Sequence, residues 1–416
     1  MSQAEKDGGM DPRGPGRLRL FQKGLEARAR EDQLRSLKHY RPEIQAPYVL
    51  RDGVRLLNFS SNDYLGLATD PEVREGAASF ARMYGAGATA SRLVSGGLEI
   101  HEALEAELAT FTRRGAALLF NSGYQANTSV LPALVDRSGL ILCDRRSHHS
   151  ILQGAVLSRA KLLRFEHNDP DHLEALLTGH GQGHRGVRLI VTESIFSMDG
   201  DRAPLAEISE VAERHGALLL VDDAHAIGVW GPRGEGLAAG HERVDIVLGT
   251  FGKAFGASGA FVASAPTVQS HLVNFCGGFI YSTAPPPGMV GAVRVALGKV
   301  RSGELRQDLF IERVAEAHER LRRGGVDTSP SDTQIVPIAL GAEQSALDCA
   351  AFLEDRGILA VAIRPPTVPP GTSRLRVSLC RHHTDEHLAA LVDTLSEFRS
   401  RAPRRGEVSA GAEKTP

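Results

Sequence analysis

The middle of the chain repeats one pattern: a short run of apolar residues, a few polar or small ones, then apolar positions three and four apart. AALLF (116–120), LILC (140–143), KLLRF (161–165), VRLIVTE (187–193), ALLLVDD (217–223) and VDIVLGT (244–250) are such runs. Continuous apolar stretches of this length, bounded by turn residues, read as strands buried on both faces. Among them, Leu98 to Arg114 carries Leu104, Leu108 and Phe111 at helical spacing. Further helices are expected from near Gly123, over 149–158 and from near Pro204. Strands alternating with helices predict an α/β fold, a mostly parallel sheet covered on both faces.

Past STAPPPGM (282–289) the pattern changes. A helical pattern spans 289–323, followed by a strand near 335–340, a helix over 343–355, strands near 358–363 and 374–380, and a last helix over 385–398. That order predicts a smaller α+β lobe. The expected organisation is a disordered extension over 1–20, an N-terminal segment over 21–57, a large domain over 58–288, a small C-terminal domain over 289–399 and a disordered tail over 400–416. Both ends are polar and rich in breakers.

Composition narrows the class. With 42% apolar and 24% charged residues over 416 positions, the chain resembles ordinary soluble globular proteins. A formal net charge of −2 provides no global field for nucleic acid or anionic lipid. The N-terminus has no apolar signal-peptide core, and no apolar run is long enough to span a membrane, so no membrane partner is expected. The four cysteines lie far apart without C-x-x-C spacing, which argues against a disulfide framework and fits a reducing cytoplasm.

In such sheets, ligands bind beyond the carboxyl ends of the strands. The residues there are Asn121 to Tyr124, Asp144 to His149, Glu193 to Asp199, Asp222 to His225 and Thr250 to Lys253, all polar or glycine-rich stretches. VDDAHAIG (221–228) and GTFGKAFG (249–256) together have the makings of a pyridoxal phosphate pocket. The cofactor's aldehyde needs a lysine, here Lys253, and its ring nitrogen needs a carboxylate, here Asp222, to keep it protonated. His225 and Ser197 are candidates for the ring's phenolic oxygen. Gly123 and Tyr124, at a helix start, and the Thr250 hydroxyl are candidates for the phosphate. Either histidine of RRSHHS (145–150) could stack over the ring, with His148 favoured.

Two competing patterns fail on context. GTFGKAFG has two residues between its glycines and Ala254 after the lysine, unlike a nucleotide-binding P-loop. His383, Glu386 and His387 match H-x-x-E-H, but they open the last helix, where Thr384 is placed as a cap; no metal is expected.

NFSSNDYLGLATDPEV (58–73), GATASRLVSG (87–96), FNSGYQAN (120–127), TESIFSMDGDRAPL (192–205), VDDAHAIGVWG (221–231) and TFGKAFGASGA (250–260) as a set resemble the α-oxoamine synthases. These are fold-type I pyridoxal-phosphate enzymes that join an amino acid to an acyl thioester with loss of carbon dioxide. The resemblance covers about residues 20–400. AIRPPTVPPGTSRLRVSL (362–379) is most similar to the branch that condenses L-alanine with a pimeloyl thioester in biotin synthesis; siblings use glycine or serine and other acyl groups.

The resemblance implies that Lys253 carries the cofactor, Asp222 pairs with the ring nitrogen and His148 stacks on the ring. It assigns Ser197 and His225 to the phenolic oxygen, and Gly123, Tyr124 and Thr250 to the phosphate. Thr283 would reach the phosphate from the partner subunit of a homodimer. Asn62 and Arg376 would take the amino acid's carboxylate, with Arg35 and Thr367 also contacting substrate. It implies an acyl donor on coenzyme A or an acyl carrier protein. Ala226 stands where relatives commonly have glycine, so the turn after His225 is expected to differ slightly. A non-catalytic scaffold of this fold would lack the lysine, which this chain retains.

Overall fold

The computed structural model describes residues 18–44, 47–180, 185–328 and 330–401. Of the ends expected to be disordered, residues 1–17 and 402–416 lie outside the described residues, whereas residues 19–20 and 400–401 are helical, the first opening the helix Arg19–Arg30 and the second closing the last helix, Asp385–Arg401. After a helix over Arg19–Arg30, three short strands, β1 (Arg41–Pro42), β2 (Tyr48–Arg51) and β3 (Val54–Asn58), form an antiparallel ladder. The next seven strands build the main sheet: β4 (Ala116–Phe120), β5 (Leu140–Asp144), β6 (Lys161–Phe165), β7 (Arg188–Glu193), β8 (Leu218–Asp222), β9 (Ile246–Thr250) and β10 (Ala260–Ser264). Their order is β4-β10-β9-β8-β7-β5-β6, with β10 alone running antiparallel to its neighbours.

The alternation of side chains explains why these strands are apolar throughout. Ile141, Cys143, Leu189, Val191 and Leu220 pack against helices over Gly123–Leu134 and His149–Ser158 on one face. Leu140, Leu142, Ile190, Leu219 and Val221 pack against helices over Pro170–His180 and Leu205–Arg214 on the other. Both pleat faces are thus withdrawn from water, as a parallel sheet requires.

The C-terminal part holds β11 (Ile335–Gly341), β12 (Ile358–Leu359), β13 (Val361–Ile363) and β14 (Ser373–Ser378). Two expectations change here. The pattern over 289–323 is two helices, Pro287–Ser302 and Gln307–Arg323, because Gly303 and Arg306 both take positive φ and turn the chain. The single strand expected over 358–363 divides at Ala360: β12 pairs with β3 in the first sheet, while β13 pairs with β14 in the last. The short N-terminal strands and β10 had no counterpart among the expected elements. The helix expected over 149–158 forms over those same residues.

Candidate active site

Six strands, β4 to β9, end on the same edge of the main sheet, and the residues after five of them converge. Asp222 closes β8; its Oδ1 accepts the Ala224 N–H at 3.1 Å and its Oδ2 accepts from Asn127 Nδ2 at 2.8 Å. Lys253 stands three residues beyond β9, in a loop tied by Gly256 N–H to the Lys253 carbonyl (2.9 Å) and Ala257 N–H to Phe251 (2.9 Å). The small residues around the lysine have a steric cause. Gly256 takes a φ of +61°, and a Cβ there would lie 2.1 Å from the Ala68 backbone nitrogen, so only glycine lets the loop pack on residues 67–68.

Lys253 Nζ lies 2.8 Å from His225 Nε2, and His225 Nδ1 lies 2.7 Å from the Tyr64 hydroxyl. Burial, with the nearby Lys253 charge second, holds His225 well below the ordinary histidine range, so the ring is neutral and carries one N–H. The contacts then admit a consistent chain. Lys253 donates to Nε2, Nδ1–H donates to Tyr64, and Tyr64 donates to Asn62 Oδ1 at 3.2 Å. Arg376 Nη1 donates to the same Asn62 oxygen at 3.0 Å. Arg376 is itself buried on β14, with Nε donating to the Ser197 carbonyl at 2.6 Å. One polar chain therefore runs from the amine to a guanidinium on β14.

Electrostatics favour a reactive amine. Withdrawal from water lowers Lys253 from 10.5 to about 8, even though the Asp222 and Glu193 charges oppose the shift. Glu193, the register partner of Asp222 on β7, is pushed up to about 8 by burial and by Asp222's charge. Its Oε1 accepts the His148 N–H at 2.6 Å. His148 caps the helix His149–Ser158, with its Nδ1 also 2.7 Å from Ser150 Oγ. Its pKa is lowered, by burial first and then by Lys253 acting against Asp222.

The remaining candidates fall in three places. Gly123 and Tyr124 form the first turn of the helix Gly123–Leu134, capped by Ser122, whose hydroxyl accepts the Gln125 N–H. A Cβ at Gly123 would face Thr250, with its nearest atom at 3.8 Å. Arg35 and Thr367 meet each other at the surface, Nη2 to Oγ1 at 2.9 Å. Thr283 is exposed, and its carbonyl accepts from Asn121 Nδ2 at 2.9 Å. Ala226 does not take a positive φ, so alanine imposes no strain on the turn; the positive φ falls at Gly228. His383 stacks on Phe59 at 4.1 Å, and its two nitrogens meet the Cys380 N–H and the Asn58 carbonyl.

Tyr64, Asn127 and Gln334 join the site without having been singled out in the sequence, and Glu193, marked there only by its place at a strand end, joins it with no role assigned. Asn127 lies one helical turn beyond Gly123, and Tyr64 lies within NDYLGL, so both stood inside quoted motifs. Gln334 holds the His225 carbonyl at 2.6 Å from a distant segment, and no local pattern marks it.

The residues present suit pyridoxal phosphate. A half-buried amine and a buried carboxylate stand at the ends of neighbouring strands, while a helix N-terminus without side-chain bulk faces a threonine hydroxyl. Fold and site together define a pyridoxal-phosphate-dependent transferase of fold-type I. The family model for class I and II aminotransferases matches residues 54–395. The chain is 46% identical over 388 residues to the 8-amino-7-oxononanoate synthase of Anaeromyxobacter dehalogenans, covering 92% of this chain and 96% of that one. It is 47% identical over 366 residues to the 8-amino-7-oxononanoate synthase of Gluconacetobacter diazotrophicus, covering 84% and 90%. Among solved structures, a serine palmitoyltransferase from S. paucimobilis with a bound PLP–myriocin aldimine superposes with a TM-score of 0.85 at 27% identity, covering 92% of this chain and 98% of that one. The chain belongs to the class I and II aminotransferase family and, within it, to the α-oxoamine synthases.

Proposed function

We propose that the protein condenses L-alanine with a pimeloyl thioester, releasing carbon dioxide and free thiol, to give 8-amino-7-oxononanoate for biotin synthesis. The observation that carries the chemistry is the Lys253 amine, lowered to about 8 and held at 2.8 Å by a neutral histidine on the strand edge that also presents Asp222. The choice of substrates is supported by the names of the relatives at 46–47% identity.

When bound, pyridoxal phosphate supplies a ring that withdraws electrons from the amino acid's α-carbon. The chain's own residues do the rest. Lys253 would hold the cofactor's aldehyde carbon, and its neutral amine would take the α-proton as general base. Asp222 keeps a proton on the ring nitrogen, fixed in place by Asn127. His148 would stack on the ring, and Ser197 and His225 would serve its phenolic oxygen. Gly123, Tyr124 and Thr250 hold the phosphate, joined by Thr283 of the other subunit in a cytoplasmic homodimer. Arg376, held through Nε by Ser197 and through Nη1 by Asn62 and Ser378, would offer its Nη2 group and positive charge to the substrate carboxylate. Arg35 and Thr367 bind the acyl donor, carried on coenzyme A or a carrier protein.

The test is product mass. Purified protein with pyridoxal phosphate is incubated with alanine, glycine or serine against pimeloyl, succinyl, acetyl and palmitoyl thioesters. Alanine with a pimeloyl thioester should dominate; a preference for serine with palmitoyl thioester, in line with the serine palmitoyltransferase likeness, would overturn the substrate assignment.

A further inference from the structure

His167 takes no part in the chemistry above, yet two carboxylates hold it. It follows β6, the edge strand. Its Nδ1 lies 3.0 Å from Asp144 Oδ1, and its Nε2 lies 2.6 Å from Asp201 Oδ2. Asp144 is completely buried and Asp201 nearly so. Asn168 repeats the bridge: its N–H reaches Asp144 Oδ2 and its Nδ2 reaches Asp201 Oδ2, both at 2.9 Å. A neutral imidazole has one N–H and would turn a lone pair toward one of the carboxylates; only the protonated ring donates to both. Desolvation pulls the ring toward neutrality, but the hydrogen bonds and charges of Asp144 and Asp201 overcome it and bring His167 to about 9.

What the two carboxylates hold gives the bridge its meaning. Asp144 Oδ1 also accepts the Arg146 N–H at 2.7 Å, and the Asp144 carbonyl accepts the Ser147 N–H at 3.1 Å, shaping the turn that delivers His148. The Asp201 carbonyl accepts the Phe196 N–H at 3.0 Å, closing the loop that carries Ser197. These loops leave β5 and β7, which lie side by side, and His167 reaches in from β6 on the outside. Glu193 ties the His148 turn from the inner side, and Arg376 grips the Ser197 carbonyl from β14.

We propose that His167 is a positioning residue that fastens the His148 turn to the Ser197 loop, and so sets the placement of both groups facing the cofactor ring. The assignment of His148 and Ser197 to that ring rests on the function proposed above. The coupling of the two loops does not.

The experiment compares wild type, His167→Gln and Asp201→Ala as full chains. Hydrogen exchange is measured first on the cofactor-free proteins, and pyridoxal phosphate affinity is then read from absorbance. Glutamine can donate to one carboxylate but cannot present opposed donors. Exchange over residues 145–150 and 194–203 should rise together, at least tenfold, while β9 keeps wild-type protection; pyridoxal phosphate should bind at least tenfold more weakly. Imidazole added to His167→Ala should restore protection in both loops. Unchanged loops, a change confined to 166–169, a uniform rise including β9, or loosened loops with wild-type cofactor affinity would each overturn the proposal. Should His167→Gln fail to fold, Asp201→Ala, which removes the one oxygen that both His167 and Asn168 bond, decides the matter by the same readouts. Wild type that binds no pyridoxal phosphate would instead overturn the functional reading, while coupled loop exchange would still stand.

Discussion

The ionisation of Lys253 can be tested without turnover. An ordinary lysine at 10.5 would be neutral in about one molecule in a thousand at pH 7.5, whereas one at about 8 is neutral in about one in four, a difference of roughly 240-fold in reactive amine. The cofactor-free protein is labelled briefly with acetic anhydride between about pH 6 and about pH 10.5, and acetylation of Lys253 is followed by mass spectrometry against the exposed Lys23. The Lys253 rate, taken relative to the reference, should rise and level off with a midpoint near pH 8. The same shift bears on stability. Between pH 8 and 10.5 the unfolded chain binds more protons at this position than the folded one, so the penalty for a dry ammonium is complete below pH 8 and fades as pH approaches 10.5. The shift corresponds to about 3 kcal/mol, so Lys253→Met should stabilise the cofactor-free fold at pH 7 by up to that amount and by little at pH 10.5. A labelling midpoint above about pH 9.5, or a gain in the Met variant that does not depend on pH, would refute the account of a desolvated amine.

Three further outcomes follow from named contacts. Asp222→Asn retains a partner for Asn127 but loses the negative charge, so pyridoxal phosphate should still bind while kcat falls by about a hundredfold or more; a wild-type kcat would remove Asp222 from its role. Arg376→Lys loses the planar fork and the Nε bond to Ser197, and the KM for the amino acid should rise by roughly thirtyfold, about 2 kcal/mol, with a smaller change for the acyl donor. Gly256→Ala forces a Cβ into the backbone of Ala68 at positive φ, which should cost about 2 kcal/mol or more in urea unfolding and lower activity with it.

Much of the site was legible because its chemistry is local. A strand that ends in an acid and a loop of small residues around one lysine announce themselves at short range, and parallel-sheet geometry puts such ends on one edge. Asp222, His225, Thr250 and Lys253 were readable on that basis. Less readable was the partition of shared work among groups. Glu193 stood in the sequence only as the start of a stretch beyond a strand end until register set it beside Asp222, and nothing local marks His167, which only the fold sets between Asp144 and Asp201. The pattern over 289–323 misled because apolar spacing continues through Gly303, whose positive φ leaves no mark on periodicity.

By itself, the order of residues determined the parallel sheet, its two helical covers and the line of reactive groups at the strand ends. These follow from side-chain periodicity and from which residues tolerate a turn, both properties of neighbours along the chain. Tertiary structure alone decided that Tyr64 and Gln334 hold His225, that Asn62 steers Arg376, and that Asp144 and Asp201 close on His167. Each of these pairings joins segments far apart along the chain, and hydrogen bonds a few ångströms long exist only once packing has brought their partners together.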